Sequence, residues 1–189
     1  MYKIVNNNIY IARGETATYN VRLVDKATGA PFILPKSEGN KFLVVFSVRR
    51  SDYIKDGYAI KKNIWLSDDI LLDTTDIDDY IGGTSEWSDT NAPTDKTTKK
   101  LYKRALPNGG YDYHYWDGAS YVPYVFEIKF PFDYKDTAEL SPKSYKYAMT
   151  IYGGSTLTLN DDNTLDVNTI TYKKPLVDAQ FIVEADINE

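Results

Sequence analysis

Acidic side chains cluster between residues 67 and 82, and they are the first group in the sequence that could do chemistry. Asp73, Asp76 and Asp78 are spaced closely enough to act together, and carboxylate oxygens are ligands that Ca²⁺ prefers. The glycine and terminal glutamate of a calcium-binding EF-hand loop do not fall at the required offsets. Because a run of like charges usually faces solvent, we expect no metal ion here. These three aspartates are the candidates if Ca²⁺ binds.

Aromatic residues dominate a second stretch, and they could pack a sheet or take part in recognition. If residues 111–116 form a strand, successive side chains point to opposite faces, so both faces carry rings. Three interpretations stay open: tyrosines that cover the edge of a sheet, anchors of a protein–protein interface, or rings that stack on a sugar while Asp112 binds its hydroxyls. The candidate contact residues are Tyr111, Tyr113, His114, Tyr115, Trp116 and Tyr121.

His114 is the only histidine in the chain. A catalytic histidine needs a positioned nucleophile and an orienting carboxylate. Ser120 and Asp117 are near in sequence, but they fall in a predicted turn, and no nucleophile-elbow motif surrounds them. A structural histidine is therefore the preferred interpretation. No local pattern favours a pair of catalytic carboxylates either, so we expect a protein that is not an enzyme.

The composition of the 189 residues excludes several kinds of cofactor site and binding partner. The absence of cysteine excludes disulfides, Cys-ligated zinc, iron–sulfur clusters and thiol nucleophiles. Lysine and arginine total 22 against 27 aspartates and glutamates, a net charge of −5, which argues against nucleic acid and anionic lipid as partners. The N-terminal residues lack an apolar export signal, and no apolar run approaches the ~20 residues that span a bilayer. We therefore expect no membrane association and no cofactor.

The elements that must position these residues are predicted to be strands. Apolar and polar residues alternate along 16–25, as in a strand with one buried face, and the apolar run 41–50 is typical of a central strand buried on both faces. A hairpin is expected around Asn160–Asn163, where Asp161, Asp162 and Asp166 form a weaker calcium candidate. Further strands are predicted at 57–66, 101–106, 111–116, 121–130, 144–152 and 176–187.

Residues 67–120 have a different character. The aspartates are followed by Gly82-Gly83 and a polar stretch, which predicts a short helical turn or irregular segment near 69–81 and then a long exposed loop. Many short strands with polar turns between them indicate an all-β fold. The sequence therefore predicts a single domain over residues 1–189, an Ig-like antiparallel β-sandwich with a long insertion at about 67–120.

Two parts of the sequence resemble a known family. Arg13-Gly14-Glu15-Thr16 is followed by a strand that reaches Asp25, then Gly29 and Pro31, and by the strand Val44–Arg49. Near the other end, Leu140–Tyr147 and Phe181–Asp186 are similar to the closing strands of the same family. The pattern resembles the N-terminal domain of the upper baseplate protein of tailed phages of Gram-positive hosts. It departs from that family at Lys143-Ser144 and Ala179-Gln180, where glycine is usual.

The resemblance implies an Ig-like sandwich that is a non-enzymatic structural part of a phage virion. On this basis the chain is expected in the tail, the baseplate or a collar, docked onto other virion proteins. It is expected as a homo-oligomer in a particle assembled in the host cytoplasm. The alternatives are a carbohydrate-binding module that contacts a host-surface glycan, and a head decoration or fibre protein.

Overall fold

The computed structural model describes residues 3–25, 27–35, 41–50, 57–66, 73–88, 90–94, 96–97 and 100–185. Strands predominate and are arranged in several sheets, so the prediction of an all-β sandwich is confirmed. That prediction was based on the alternation of apolar and polar residues, because burying one face of a sheet requires an apolar side chain at every second position.

The described elements follow one another as strands, with one short helix late in the chain. The strands are β1 (Lys3–Val5), β2 (Asn8–Ala12), β3 (Ala17–Arg22), β4 (Lys41–Arg49), β5 (Tyr58–Leu66), β6 (Asp73–Asp79), β7 (Lys100–Ala105), β8 (Tyr111–Trp116), β9 (Tyr121–Pro123), β10 (Glu127–Phe132), β11 (Lys143–Gly154) and β12 (Tyr172–Glu184); the helix is α1 (Tyr134–Ala138), and Val167–Thr169 forms a 3₁₀ turn.

The chain divides into two compact units. The first comprises Met1–Asn20, Glu38–Leu66 and Lys129–Glu189, and the second comprises Val21–Ser37 and Ser67–Ile128. The segment 67–120, expected as an insertion, lies within the second unit. Strands β3 and β10 pair with each other, and the boundary between the units falls within both of them.

The first unit contains a six-stranded sheet in the order β1-β2-β12-β11-β4-β5. Most neighbours are antiparallel, but β2 and β12 pair in parallel, with Phe181 opposite Ile9. Along β11 the odd-numbered residues from Tyr145 to Ile151 are buried. Strand β4 is continuously buried over Phe42–Val44 and alternates after that, so burial on both faces is limited to the beginning of this strand.

Aromatic rings fill the core of the first unit. The ring of Phe46 lies 5.3 Å from Phe130, 5.4 Å from Phe132, 5.2 Å from Tyr147 and 6.3 Å from Phe181, measured between ring centres. All five side chains are buried. Each such pair contributes about 0.5–1.5 kcal/mol beyond the burial of area, so Phe46 is a central packing residue of this unit.

Helix α1 was not predicted from the sequence. Its N-cap Asp133 accepts a hydrogen bond from the backbone N–H of Lys135 at 2.8 Å, and the side chain of Asp136 accepts one from the Asp133 N–H at 2.8 Å. This reciprocal capping box satisfies donors that a helix start leaves free. The two aspartates three residues apart were the available signal.

The second unit contains a four-stranded sheet in the order β6-β7-β8-β9. The prediction of a helical turn near 69–81 is wrong, because Asp73–Asp79 is strand β6, paired in parallel with β7; residues 69–72 lie outside the described part. Asp78 forms an ion pair with Lys100 at 2.8 Å, and Asp79 forms one with Lys103 at 3.3 Å. Lysines of the neighbouring strand thus compensate for the low strand preference of aspartate.

Residues 121–130 and 160–163 were predicted as a strand and a hairpin. Residues 121–130 form two strands, β9 and β10, because Tyr124–Phe126 leave the extended ladder. The hairpin at 160–163 is confirmed: Leu159 pairs with Leu165, and Asn163 has the left-handed φ of 61° that such a turn requires. No helix in the described residues has the length and apolar character needed to cross a membrane.

Candidate functional site

The candidate site lies on one face of the sheet in the second unit. Antiparallel pairing of β7 with β8 places Tyr102 opposite His114 and Arg104 opposite Asp112, and pairing of β8 with β9 places Trp116 opposite Tyr121. Because side chains alternate between faces, these residues share one side of the sheet. We call the following set the aromatic face: Tyr102, Arg104, Asp112, His114, Trp116 and Tyr121.

The segment that follows β6 packs onto the aromatic face. Trp87 stacks on His114 with 4.1 Å between ring centres and 10° between planes, and Tyr80 stacks on Trp87 at 4.5 Å and 21°. The edge of Tyr121 also approaches Trp87, at 5.5 Å. The sequence predicted a long exposed loop here; most of its described residues are exposed, but Trp87 packs it against the sheet.

Hydrogen bonds of two tyrosine hydroxyls hold this segment in place. The Tyr80 hydroxyl donates to the carbonyl of Glu86 at 3.2 Å and accepts from the backbone N–H of Ser88 at 3.3 Å. The Tyr121 hydroxyl donates to the carbonyl of Pro93 at 3.0 Å. Gly82 is required by packing, since a Cβ atom at this position would overlap the ring of Tyr80.

An ion pair lies beside the stacked rings. Arg104 binds Asp112 through two guanidinium nitrogens, with its Nε 3.0 Å from Oδ1, and it also donates to the carbonyl of Ser85 at 3.0 Å. The side chains are 14% and 29% exposed. The hydrogen bond to Asp112 raises the pKa of Arg104, so the guanidinium stays charged and links strands β7 and β8 to the packed segment.

His114 is surrounded by packing contacts and is only 7% exposed. Burial lowers the pKa of His114 below its ordinary value of 6.5, against the opposing charge of Asp112. The imidazole is therefore neutral at pH 7. Its Nδ1 and the Nε1 of Trp87 are buried, with no hydrogen-bond partner within the part of the chain that the structure describes.

The carboxylate considered from the sequence as a partner of His114 is used in a turn. The Asp117 carboxylate accepts hydrogen bonds from the backbone N–H groups of Ala119 and Ser120, both at 2.8 Å. These bonds lower the pKa of Asp117 and close the turn between β8 and β9. The contacts of His114 are thus those of a packing residue.

A groove of about 360 Å³ opens at the end of the aromatic face, beside Trp116. Tyr121 meets the Trp116 ring edge to face at 5.1 Å, and the Lys96 ammonium lies 4.7 Å from the centre of the same ring. Thr94 and Ser120 add hydroxyl groups to the lining. Rings, hydroxyls and one cation could hold a hydroxyl-bearing or anionic ligand.

The six residues singled out from the sequence are divided between the two faces of the sheet. Tyr111, Tyr113 and Tyr115 lie opposite the aromatic face. Tyr111 is 37% exposed, and the Lys103 ammonium lies 5.1 Å from its ring centre. Burial raises the pKa of Tyr113. Of the six, His114, Trp116 and Tyr121 share the aromatic face: Trp87 contacts His114 and Tyr121, and Tyr121 contacts Trp116.

Several residues of the site were missed by sequence reasoning, namely Tyr80, Trp87, Lys96, Tyr102 and Arg104. The available signal was Trp87 itself, because a single large aromatic residue in a polar segment usually finds a buried partner. The side chains of the calcium candidates Asp73 and Asp76 lie outside the described residues, and Asp78 pairs with Lys100. Within the described ranges, no three His, Asp or Glu side chains are arranged to hold a metal ion.

Comparison of the chain with family models, with curated proteins and with solved structures found no match.

Proposed function

We propose that this chain is a non-enzymatic structural protein of a tailed-phage virion, located in the tail, the baseplate or a collar. It docks onto neighbouring virion subunits and is present there in several copies. The resemblance of the opening and closing strands to the phage upper baseplate family motivates this proposal. The all-β architecture is compatible with it.

The observation that carries the non-enzymatic part is the stacking of Trp87 on His114. It makes the only histidine a packing residue between a loop and a sheet. The carboxylate of Asp117, near His114 in sequence, is occupied by its own turn, and that of Asp112 binds Arg104. Side chains that could act in catalysis therefore stabilise the fold of the second unit. This is expected of a protein that functions by binding partners through its surface.

Docking also needs exposed anchors, and the first unit has them. Tyr58 and Trp65 of strand β5 are 48% and 44% exposed. Large aromatic side chains of this kind dominate the energetics of protein–protein interfaces. Strand β5 lies at the end of the six-stranded sheet, where a partner can contact it.

The test is the composition of phage particles from the source of this sequence. Peptides of the chain should be found by mass spectrometry in purified particles, and gold-labelled antibody should mark the tail tip or neck. Labelling of the capsid surface would instead favour the head decoration or fibre alternative. Absence of the chain from purified particles would overturn the virion assignment.

A carbohydrate-binding module is the second candidate, and the groove beside Trp116 favours it. Aromatic rings with adjacent hydroxyl groups, as at Trp116, Tyr121 and Ser120, suit a sugar. A glycan array tests this candidate. Trp116→Ala should abolish a genuine signal and Tyr111→Ala, on the opposite face of the sheet, should retain it.

A further inference from the structure

The outer face of the six-stranded sheet carries two grooves. Along β11 the even-numbered residues from Ser144 to Tyr152 point away from the ring core, because the odd-numbered residues are buried. Ser144 and Lys146 line one groove on this outer face, and Thr150 and Tyr152 line another. Both grooves therefore lie on the same side of the first unit.

One end of the outer face is strongly basic. A groove of about 380 Å³ is lined by four cationic residues together with Ser144, Tyr145 and Gln180. The net charge of the chain is −5, so this concentration of positive charge is local and favours an acidic ligand. We call it the basic groove; its cations are Arg49, Arg50, Lys143 and Lys146.

An acidic turn lies farther along the same face. Thr164 and Leu165 line the second groove with Thr150 and Tyr152, which places the hairpin at 160–163 on the outer face. Asp161 and Asp162 are exposed, and Asp166 is half-buried. Hydrogen bonds from Thr164 lower the pKa of Asp162, so its carboxylate is charged at neutral pH.

The carboxylates of this acidic turn (Asp161, Asp162, Asp166) form no ion pair among the described residues, although the charge of Lys61 also helps to lower the pKa of Asp162. Among the described residues no lysine or arginine lies within ion-pair distance of them, although the Lys61 ammonium is near and donates to the carbonyl of Asn163 at 3.4 Å. Asp78 and Asp79 of β6, by contrast, are paired with Lys100 and Lys103. The acidic turn thus offers negative charge to an outside partner.

Exposed rings accompany these charges. Tyr58 lines the groove beside the acidic turn, and Trp65, two residues beyond Asn63 on β5, shares the outer face by alternation. Surface ion pairs contribute only about 0–1 kcal/mol each, so charge alone would give orientation with little affinity. Aromatic anchors supply the apolar contact that a stable interface needs.

We propose that the outer face is a self-association surface, on which the basic groove of each copy binds the acidic turn of a second copy. The partner is a second copy because both charges lie on one face. A two-fold axis between the basic groove and the acidic turn places the groove of each copy against the turn of the other, so that two contacts between unlike charges form. The inference rests on the proposed function in that it names one partner among the neighbouring subunits. The interface is closed and predicts a dimer.

Sedimentation velocity of the full chain tests the dimer. We expect a monomer–dimer equilibrium that weakens as NaCl rises from about 0.1 M to about 1 M, since the screening length falls from about 10 Å to about 3 Å. Trp65→Ala should weaken the dimer at every salt concentration. A monomer at all concentrations and salts would overturn the proposal.

Charge reversal gives the sharper test. Arg49→Glu/Lys146→Glu reverses the two cations of the basic groove that the strand alternation places on the outer face, and Asp161→Lys reverses the one carboxylate of the acidic turn for which the structure shows no hydrogen bond within the turn. Each variant should dimerise at least about tenfold more weakly, about 1.4 kcal/mol. An equimolar mixture of the two should form the heterodimer with near wild-type affinity, because the glutamates introduced in the groove of one copy then face the lysine introduced in the turn of the other, and the second contact is the wild-type one.

The control is Lys135→Glu on helix α1, which changes the charge by the same amount per residue outside the proposed surface and should leave the dimer unchanged. Recovery in the mixture also shows that both variants are folded. A dimer that ignores the charge reversals, or a mixture that does not recover, would overturn the proposal. A monomeric chain that is nevertheless found in phage particles would refute this surface while leaving the proposed function intact.

Discussion

The indole of Trp87 lies flat on the imidazole of His114, with 4.1 Å between ring centres and 10° between planes. One ring belongs to a polar segment between strands and the other to the middle of β8. Both rings keep a buried nitrogen without a partner among the described residues. The two rings therefore contact each other by stacking and not by hydrogen bonding. This stacking holds the segment after β6 against the sheet.

Removing this contact should destabilise the second unit. Trp87→Ala is expected to lower the free energy of unfolding by about 2–3 kcal/mol, because it removes stacking with Tyr80 and His114 as well as buried area. Urea denaturation followed by circular dichroism measures the change. The control Tyr134→Ala on helix α1 removes a ring that is 55% exposed and lies outside the proposed self-association surface, and it should cost less than about 1 kcal/mol. Equal effects of the two substitutions would contradict this account.

Mild acid should destabilise the protein through His114. Burial lowers the pKa of the folded imidazole below 6.5, so below that pH the unfolded chain binds more protons than the folded one. The stabilisation is complete above the unfolded pKa and declines as the pH falls toward the lowered folded pKa. Urea denaturation at a series of pH values from about 7 to about 5 should show the decline.

The variant His114→Phe isolates this effect, since it keeps a ring for stacking and removes the titrating group. Its stability should change less over the same pH range than that of the wild type. The single histidine also allows a direct NMR titration of the folded chain. A histidine resonance that titrates at or above 6.5 would contradict the prediction.

The ion pair between Arg104 and Asp112 should contribute to stability more than an exposed pair. Asp112→Ala leaves a guanidinium that is only 14% exposed and removes a two-pronged contact, so we expect a loss of about 1–2 kcal/mol. The control is Glu127→Ala, which breaks the pair with Arg22, a side chain that is 70% exposed. That loss should be below about 1 kcal/mol. Chemical denaturation of both variants decides the comparison.

Neighbouring residues of β4 should differ sharply in their effects. Phe46→Ala removes the ring that meets Phe130, Phe132 and Tyr147, and we expect a loss of about 3–5 kcal/mol. Val45→Ala, on the outer face and half-buried, should cost about 1 kcal/mol. Thermal or urea unfolding measures both. Similar losses at the two positions would mean that the ring core is not where the structure places it.

The strands were predictable where one face of a strand must be buried. In β3 and β11 the apolar positions recur at every second residue, and the structure buries those residues. The hairpin around Asn163 was predictable for a local reason too, because its turn residues favour left-handed backbone. Helix α1 also had a local signal in Asp133 and Asp136, which form its capping box.

Strand β6 and the site around Trp87 could not be predicted in the same way. The aspartates of β6 favour turns or loops when considered alone. The extended conformation is accompanied by parallel pairing with β7 and by ion pairs of Asp78 and Asp79 with Lys100 and Lys103, which are contacts between residues distant in the chain. Likewise, alternation predicted that His114 and Trp116 share a face, but it did not indicate which ring would cover them.

By itself the sequence determined the all-β class, most strand positions and the division of residues 111–116 between two faces, because these follow from a repeat of two residues along an extended chain. Only the tertiary structure decided that Trp87 covers His114, that Asp112 holds Arg104, and that a basic groove and an acidic turn share one face of a sheet. Those relationships join residues far apart in the chain, and their free energies depend on distances that no local pattern encodes.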